Sequence, residues 1–204
     1  GTRYSQRAER SVVRDQGSTT LVLKYPNLVS SGGTSTGIVM NVHIKLKESA
    51  DYFLIRADLQ NKGKYSVTKL ACGAGEFTAD DSRELEKLAI PTCTSGTIWS
   101  NPFEFFAERE TFGYPMFGSD VILEAGWMDL YGPRGGIGSG YINRQGLTMY
   151  FNVKRGAKGI TFNWQLFNLY HEGAVESWAP AGGIYPLKPG ESMSTDDWIL
   201  APHS

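Results

Sequence analysis

Apolar and polar residues alternate with a period of two along much of this chain, in short runs closed by Gly, Pro, Asn or Asp. The clearest run is GIVMNVHIKL at 37–46. Ile38, Met40, Val42, Ile44 and Leu46 fall on one face and Val39, Asn41, His43 and Lys45 on the other, the pattern of a half-buried strand with His43 facing solvent. Before it, TTLVLKYPNL predicts a strand closed by Tyr25, Pro26 and Asn27, followed by a Gly- and Ser-rich loop at 30–37. Residues 52–60 and 65–71 predict two strands of a hairpin turned at Asn61, Lys62 and Gly63, because Asn and Gly tolerate positive φ.

Further strands are expected at 121–131, 136–143, 147–155, 159–170 and 175–180, with turns at 132–135, 144–146 and 156–159, the spacing of a meander in a large antiparallel sheet. Helical character is confined to FTADDSRELEKLAIP at 77–91, where Asp80 or Asp81 caps a turn or two that carries Leu85 and Leu88 on one face and Pro91 ends it. An irregular crossover loop is the alternative there. The aromatic, proline-punctuated stretch 98–116 fits no regular element, and long loops on a rigid β-scaffold are where binding surfaces tend to sit. At the end, Tyr185 and Leu187 finish one strand, Lys188, Pro189, Gly190 and Glu191 form a turn, and Trp198, Ile199 and Leu200 begin another strand. Ala201, Pro202, His203 and Ser204 bring no punctuation, so the expectation is an excised domain: a flexible or edge segment at 1–17 and a single domain at 18–204.

The expected fold class is all-β, two antiparallel sheets packed face to face with little helix. Aromatic content of 12% and 24 glycines among 204 residues suit that class. With 20 Lys and Arg against 21 Asp and Glu the net charge is −1, so no global field draws nucleic acid or an anionic membrane. No apolar run approaches the roughly 20 residues that span a bilayer, and GTRYSQRAERSVV lacks a secretory core, so a soluble fragment is expected. Cys72 and Cys93 lack the spacing of a zinc site. A disulfide in an exported protein and free thiols in a cytoplasmic one both stay open, with free thiols ahead. No cofactor is expected. Loop carboxylates are able to bind calcium, but no spaced oxygen-ligand loop is present.

Three segments in order carry a resemblance: YFLIRADLQNKGKYSVTKL, YPMFGSDVILEAGWMDLYGPRGGIGSGY and YPLKPGESMSTDDWILAPH. Together they resemble the β-supersandwich (galactose mutarotase-like) domain that precedes a (β/α)8 catalytic barrel in an uncharacterised glycoside-hydrolase-like family. That family is related in architecture to retaining α-galactosidases and α-N-acetylgalactosaminidases. The resemblance spans roughly residues 20–204. It implies an accessory module of a glycoside hydrolase whose partners are a polysaccharide or oligosaccharide and the barrel of the same polypeptide. The catalytic carboxylates would lie on that barrel, so no catalytic residue is assigned. Alternatives are a mutarotase-like or small glycan-active enzyme and a purely structural interaction domain.

A glycosidase needs two carboxylates roughly 5–10 Å apart across the sugar. Asp129, Glu172, Glu176 and the Asp196–Asp197 pair are the candidates, yet Asp129 suits a cross-strand hydrogen-bonding role better, and adjacent strand residues such as Asp196 and Asp197 point to opposite faces. Mutarotase chemistry needs a histidine and a carboxylate, for which His171 with Glu172 or Glu176 is the local candidate, while a surface-loop histidine is the simpler reading. His203 is expected to pack at a domain junction. Sugar binding needs an aromatic platform with polar companions. Trp164 alternates with Phe162 and Leu166 as a core residue would, and Trp127 and Trp198 lie within strands and are expected to pack. Trp99 and Trp178, in or beside loops, are the candidate carbohydrate-stacking residues, with Asn101 and Arg134 as companions. GGIGSG at 135–140 lacks dinucleotide-loop spacing and reads as a turn.

Overall fold

Alternation along strands settles the architecture. The computed structural model describes residues 7–30, 32–67, 71–79, 87–91, 96–100, 111–115, 117–118, 121–122, 127–141, 148–156, 159–168, 186–195 and 197–204. These form β1 (Glu9–Asp15), β2 (Ser18–Tyr25), β3 (Ile38–Lys47), β4 (Phe53–Asn61), β5 (Ala71–Ala79), β6 (Lys87–Pro91), β7 (Gly96–Ser100) and β8 (Thr111–Pro115). There follow β9 (Phe117–Gly118), β10 (Val121–Ile122), β11 (Trp127–Gly132), β12 (Gly135–Tyr141), β13 (Thr148–Gly156), β14 (Gly159–Asn168), β15 (Ser192–Ser194) and β16 (Trp198–His203). Ten strands make one antiparallel sheet, in the order β1-β2-β3-β4-β16-β12-β11-β6-β7 with β15 also paired to β4. A four-stranded sheet runs β5-β14-β13-β8. The protein is an all-β antiparallel sandwich, with no helix among the described residues.

One face of the large sheet is the core face. Ile38, Met40 and Val42 of β3 and Ile55, Ala57 and Leu59 of β4 are buried there, joined by Leu88, Leu130 and Trp198. The paired positions Met40↔Leu59, Val42↔Ala57 and Ile44↔Ile55 put these side chains in register, as the sequence alternation requires. Trp198, fully buried, pairs with Ile55 on one side and Tyr141 on the other. Its indole N–H donates to the Ser139 hydroxyl at 2.6 Å. The last strand is therefore a central strand, and it stitches β4 to β12.

That insertion overrides two local expectations. Residues 65–67 do not complete a hairpin with β4, because the second edge of β4 is taken by β15 and β16. Asn61 instead turns the chain away. It is fully buried, its amide N–H groups donate to the carbonyls of Tyr65 (2.9 Å) and Leu187 (2.8 Å), and its Oδ1 accepts from the Gly63 N–H at 2.9 Å. Val67 then bridges to Leu187, and β5 pairs with β14 in the other sheet. In the same way the free edge of β12 belongs to β16, so the expected meander splits: β11 and β12 lie in the large sheet, β13 and β14 in the small one.

Of the segment given helical character, residues 87–91 are strand β6, with Leu88 buried between Leu130 and the position of Trp99. Ladder bonds to two neighbouring strands outweigh a weak helical preference. Residues 80–86 lie outside the described residues. The stretch 98–116 contains the end of β7 and all of β8, with 101–110 outside the described residues. At the C-terminal turn Gly190 takes φ 83°. There the Lys188 N–H donates to the Glu191 carboxylate at 2.8 Å and the Glu191 N–H to the Lys188 carbonyl at 3.0 Å, as the Pro-Gly pair predicts.

Candidate functional site

The other face of the ten-stranded sheet carries the chemistry. Residues opposite in register share a face, so Trp127, Asp129 and Tyr131 of β11 face outward with Ile199, Ala201 and His203 of β16. Between them runs β12, whose outward positions are Gly136, Gly138 and Gly140. The GGIGSG run is a strand with a bare outer surface, and it floors a trough between two strands that do carry side chains.

The bare floor lets side chains meet across a whole strand. His203 Nε2 lies 2.8 Å from Asp129 Oδ1 in a hydrogen bond, although β12 separates their strands. A Cβ at Gly136 would come within 2.8 Å of the His203 Cε1 and 2.7 Å of the Tyr131 Cβ, so no larger residue fits without displacing them. The hydrogen bond to Asp129 raises the imidazole pKa above its ordinary 6.5; burial opposes it, and the carboxylate's charge and a backbone hydrogen bond at Ser204 add to it. The imidazole side chain is 39% exposed, so it is open to a solute. Beyond it, Lys87 Nζ stands 5.9 Å from the Tyr131 ring centroid. At the other end of the trough Trp127 is 43% exposed, the exposed tryptophan among those whose side chains are described.

Along the same outer face, β3 and β4 present His43, Arg56 and Asp58. His43 Nε2 is 2.8 Å from Asp58 Oδ2 without the alignment of a hydrogen bond, and Arg56 Nε is 3.3 Å from Asp58 Oδ1. A bulge aims Asp197 toward this group. Ser194 pairs with Asp58 and Trp198 with Ile55, so β15 and β16 together advance one residue more than β4. Thr195 locks the bulge, its hydroxyl accepting from the Ala57 N–H at 2.9 Å and its N–H donating to the Ala57 carbonyl at 2.8 Å.

The structure redistributes the residues singled out in the sequence. Trp99 is in strand β7, at the register position opposite Leu88, and not in a loop. Arg134 is exposed in the Pro133–Arg134 turn between β11 and β12. Trp178, Asn101, His171, Glu172, Glu176, Asp196 and Cys93 lie outside the described residues. Trp198 packs as expected, but Trp127 does not: its register puts it on the outer face beside Gly140. Asp129 takes the cross-strand hydrogen-bonding role expected of it. His203 is part-exposed beside Asp129, and His43 is on the outer face but largely covered, its side chain 27% exposed. Nothing local in the sequence marks the His203–Asp129 pair; the alternating glycines of GGIGSG, which read there as a turn, leave nothing between the flanking strands.

No protein-family model matches the chain, and no curated protein matches it in sequence. Solved structures do. The GH36 α-galactosidase AgaA from Geobacillus stearothermophilus, in complex with 1-deoxygalactonojirimycin, matches 96% of this chain and 25% of its own, at TM-score 0.56 and 12% identity. The galactose mutarotase related enzyme from Lactobacillus acidophilus matches 97% of this chain and 72% of its own, at TM-score 0.55 and 12% identity. The galactosidase domain of the α-galactosidase-sucrose kinase AgaSK matches 98% of this chain and 26% of its own, at TM-score 0.52 and 12% identity. The chain thus has the galactose mutarotase-like β-sandwich fold. It spans about a quarter of the length of the α-galactosidases it matches.

Proposed function

We propose that the chain is a non-catalytic domain of a glycoside hydrolase that binds carbohydrate or shapes the substrate cleft beside a catalytic barrel in the same polypeptide. The observation that carries this reading is the fit of 96–99% of the chain onto about a quarter of several α-galactosidases. On this reading the outer face of the large sheet is the saccharide surface, Trp127 is its aromatic platform, and Asp129 and His203 hold hydroxyls beside it. Trp99, Trp178, Asn101 and Arg134 are kept as further candidate contacts. The test is calorimetry of the purified chain against soluble polysaccharides, with a reducing-sugar assay on the same samples. Binding without released sugar is expected; released sugar would overturn the non-catalytic reading.

A second reading, an enzyme acting at a sugar's anomeric carbon, is favoured by the exposed His203–Asp129 pair. Such chemistry needs an acid and a base at separate points of the ring. Here the two groups bond to each other and act as one unit, so the second reading stays behind the first. Polarimetry of α-glucose and α-galactose with the wild-type chain and His203→Ala separates the two.

A further inference from the structure

The outer face has a second concavity that the proposed function leaves unused. A depression of about 350 Å³ is lined by Thr20 of β2, His43, Lys45 and Lys47 of β3, Leu54 and Arg56 of β4, and Asp197. That volume is within the range of about 300–1,000 Å³ found for ligand sites. Three permanent cations face one lining carboxylate in a chain whose net charge is −1. Arg56 has a partial partner in Asp58, while neither Lys45 nor Lys47 is paired with a carboxylate among the described residues. Beside the depression Asn41 Oδ1 is buried without a hydrogen-bond partner, while His43 Nε2 and Asp58 Oδ1 lie 2.8 Å and 3.3 Å from the charged atoms Asp58 Oδ2 and Arg56 Nε.

We propose that this depression is a subsite for an acidic sugar unit, a saccharide bearing a carboxylate or a sulfate ester. The inference rests on the carbohydrate-binding reading and deepens it. Lys45, Lys47 and Arg56 recognise the oxyanion, which forms charge-assisted hydrogen bonds stronger than those between neutral groups. Leu54 gives the apolar side of the sugar a surface, and Asp197 and Thr20 accept its hydroxyls. Register ties this subsite to the aromatic platform. Lys45, Leu54, Ile199, Gly140 and Trp127 lie in one row across five adjacent strands of the outer face. Four strand spacings separate the ends of that row, roughly 19 Å, a distance that an oligosaccharide bridges and a single sugar does not.

The test is calorimetry of the whole chain with four probes at low salt: an oligogalacturonate, a sulfated galactan oligosaccharide, a neutral galactan oligosaccharide of matched length, and sodium sulfate. The acidic oligosaccharides are expected to bind at least about tenfold more tightly than the neutral one, with the preference lost in the double variant Lys45→Gln, Arg56→Gln and reduced at high salt. Circular dichroism on the variant confirms its fold, and Lys47→Gln gives an independent variant expected to weaken acidic binding alone. Equal binding of neutral and acidic probes, unchanged in the variants, would overturn the subsite and leave the carbohydrate-binding reading standing. Sulfate bound as tightly as the sulfated oligosaccharide would also overturn it, since the sugar would then contribute nothing. No binding of any probe would overturn both.

Discussion

His203 and Asp129 meet at 2.8 Å across a strand that separates them, because the outward positions between them on that strand are Gly136 and Gly138. Bare backbone in the middle of a sheet costs strand propensity. What it yields here is a trough whose walls are an exposed tryptophan and a histidine–carboxylate pair.

The pair has a direction in pH. The folded imidazole pKa lies above 6.5, so its contribution to stability is fully present below 6.5 and fades as pH rises through the raised folded value. Asp129→Asn removes the cause. NMR titration is expected to give a His203 pKa above 6.5 in the wild type and a lower one in the variant, and the stability gap between the two proteins should close as pH rises. Identical titration curves would show that the contact does not persist in solution.

Gly136→Ala should be destabilising by about 1–3 kcal/mol, the usual cost of forcing a methyl group into a packed site. Its Cβ would stand 2.5 Å from the Leu130 carbonyl oxygen as well as against Tyr131 and His203. Urea denaturation measures the cost, and the His203 resonance should shift in the same variant.

Asn61→Ala should be at least as harmful. It removes three hydrogen bonds at a fully buried position, taking a donor from the carbonyls of Tyr65 and Leu187 and the acceptor from the Gly63 N–H. A buried unsatisfied group costs about 1–3 kcal/mol. A midpoint within experimental error of wild type would mean that the turn finds another arrangement.

Trp198→Ala is expected to cost about 3–5 kcal/mol, as large-to-small changes at fully buried aromatics do, since the side chain has no exposed surface. Because β16 joins β4 to β12, this variant should lose the large sheet as a unit, with near- and far-UV circular dichroism falling together on mild heating.

Period-two alternation made the strands legible: β2, β3 and β4 lie where Ser18–Tyr25, Ile38–Lys47 and Phe53–Asn61 alternate. Pairing was not legible. The hairpin expected around Asn61 and the meander expected from residue 121 both assume that neighbours in sequence are neighbours in the sheet. Insertion of β16 between β4 and β12 is a long-range event that no local pattern encodes. The same insertion hid the site. In the sequence Trp127 reads as a packing residue because strand tryptophans usually pack, and only its register against Gly140 shows that it faces outward. His203 gave no signal as a partner of Asp129, 74 residues away in the chain.

Under the proposed function the outer sheet face is a saccharide surface. The most direct measurement is an NMR titration of the chain with neutral and acidic oligosaccharides, following the Trp127 indole N–H, the Ile199 methyl groups and the His203 ring. Saturable shifts at Trp127 and along the row through Ile199, lost in Trp127→Ala, are the predicted result. An unmoved outer face at saturating oligosaccharide, or shifts confined to other parts of the molecule, would contradict it.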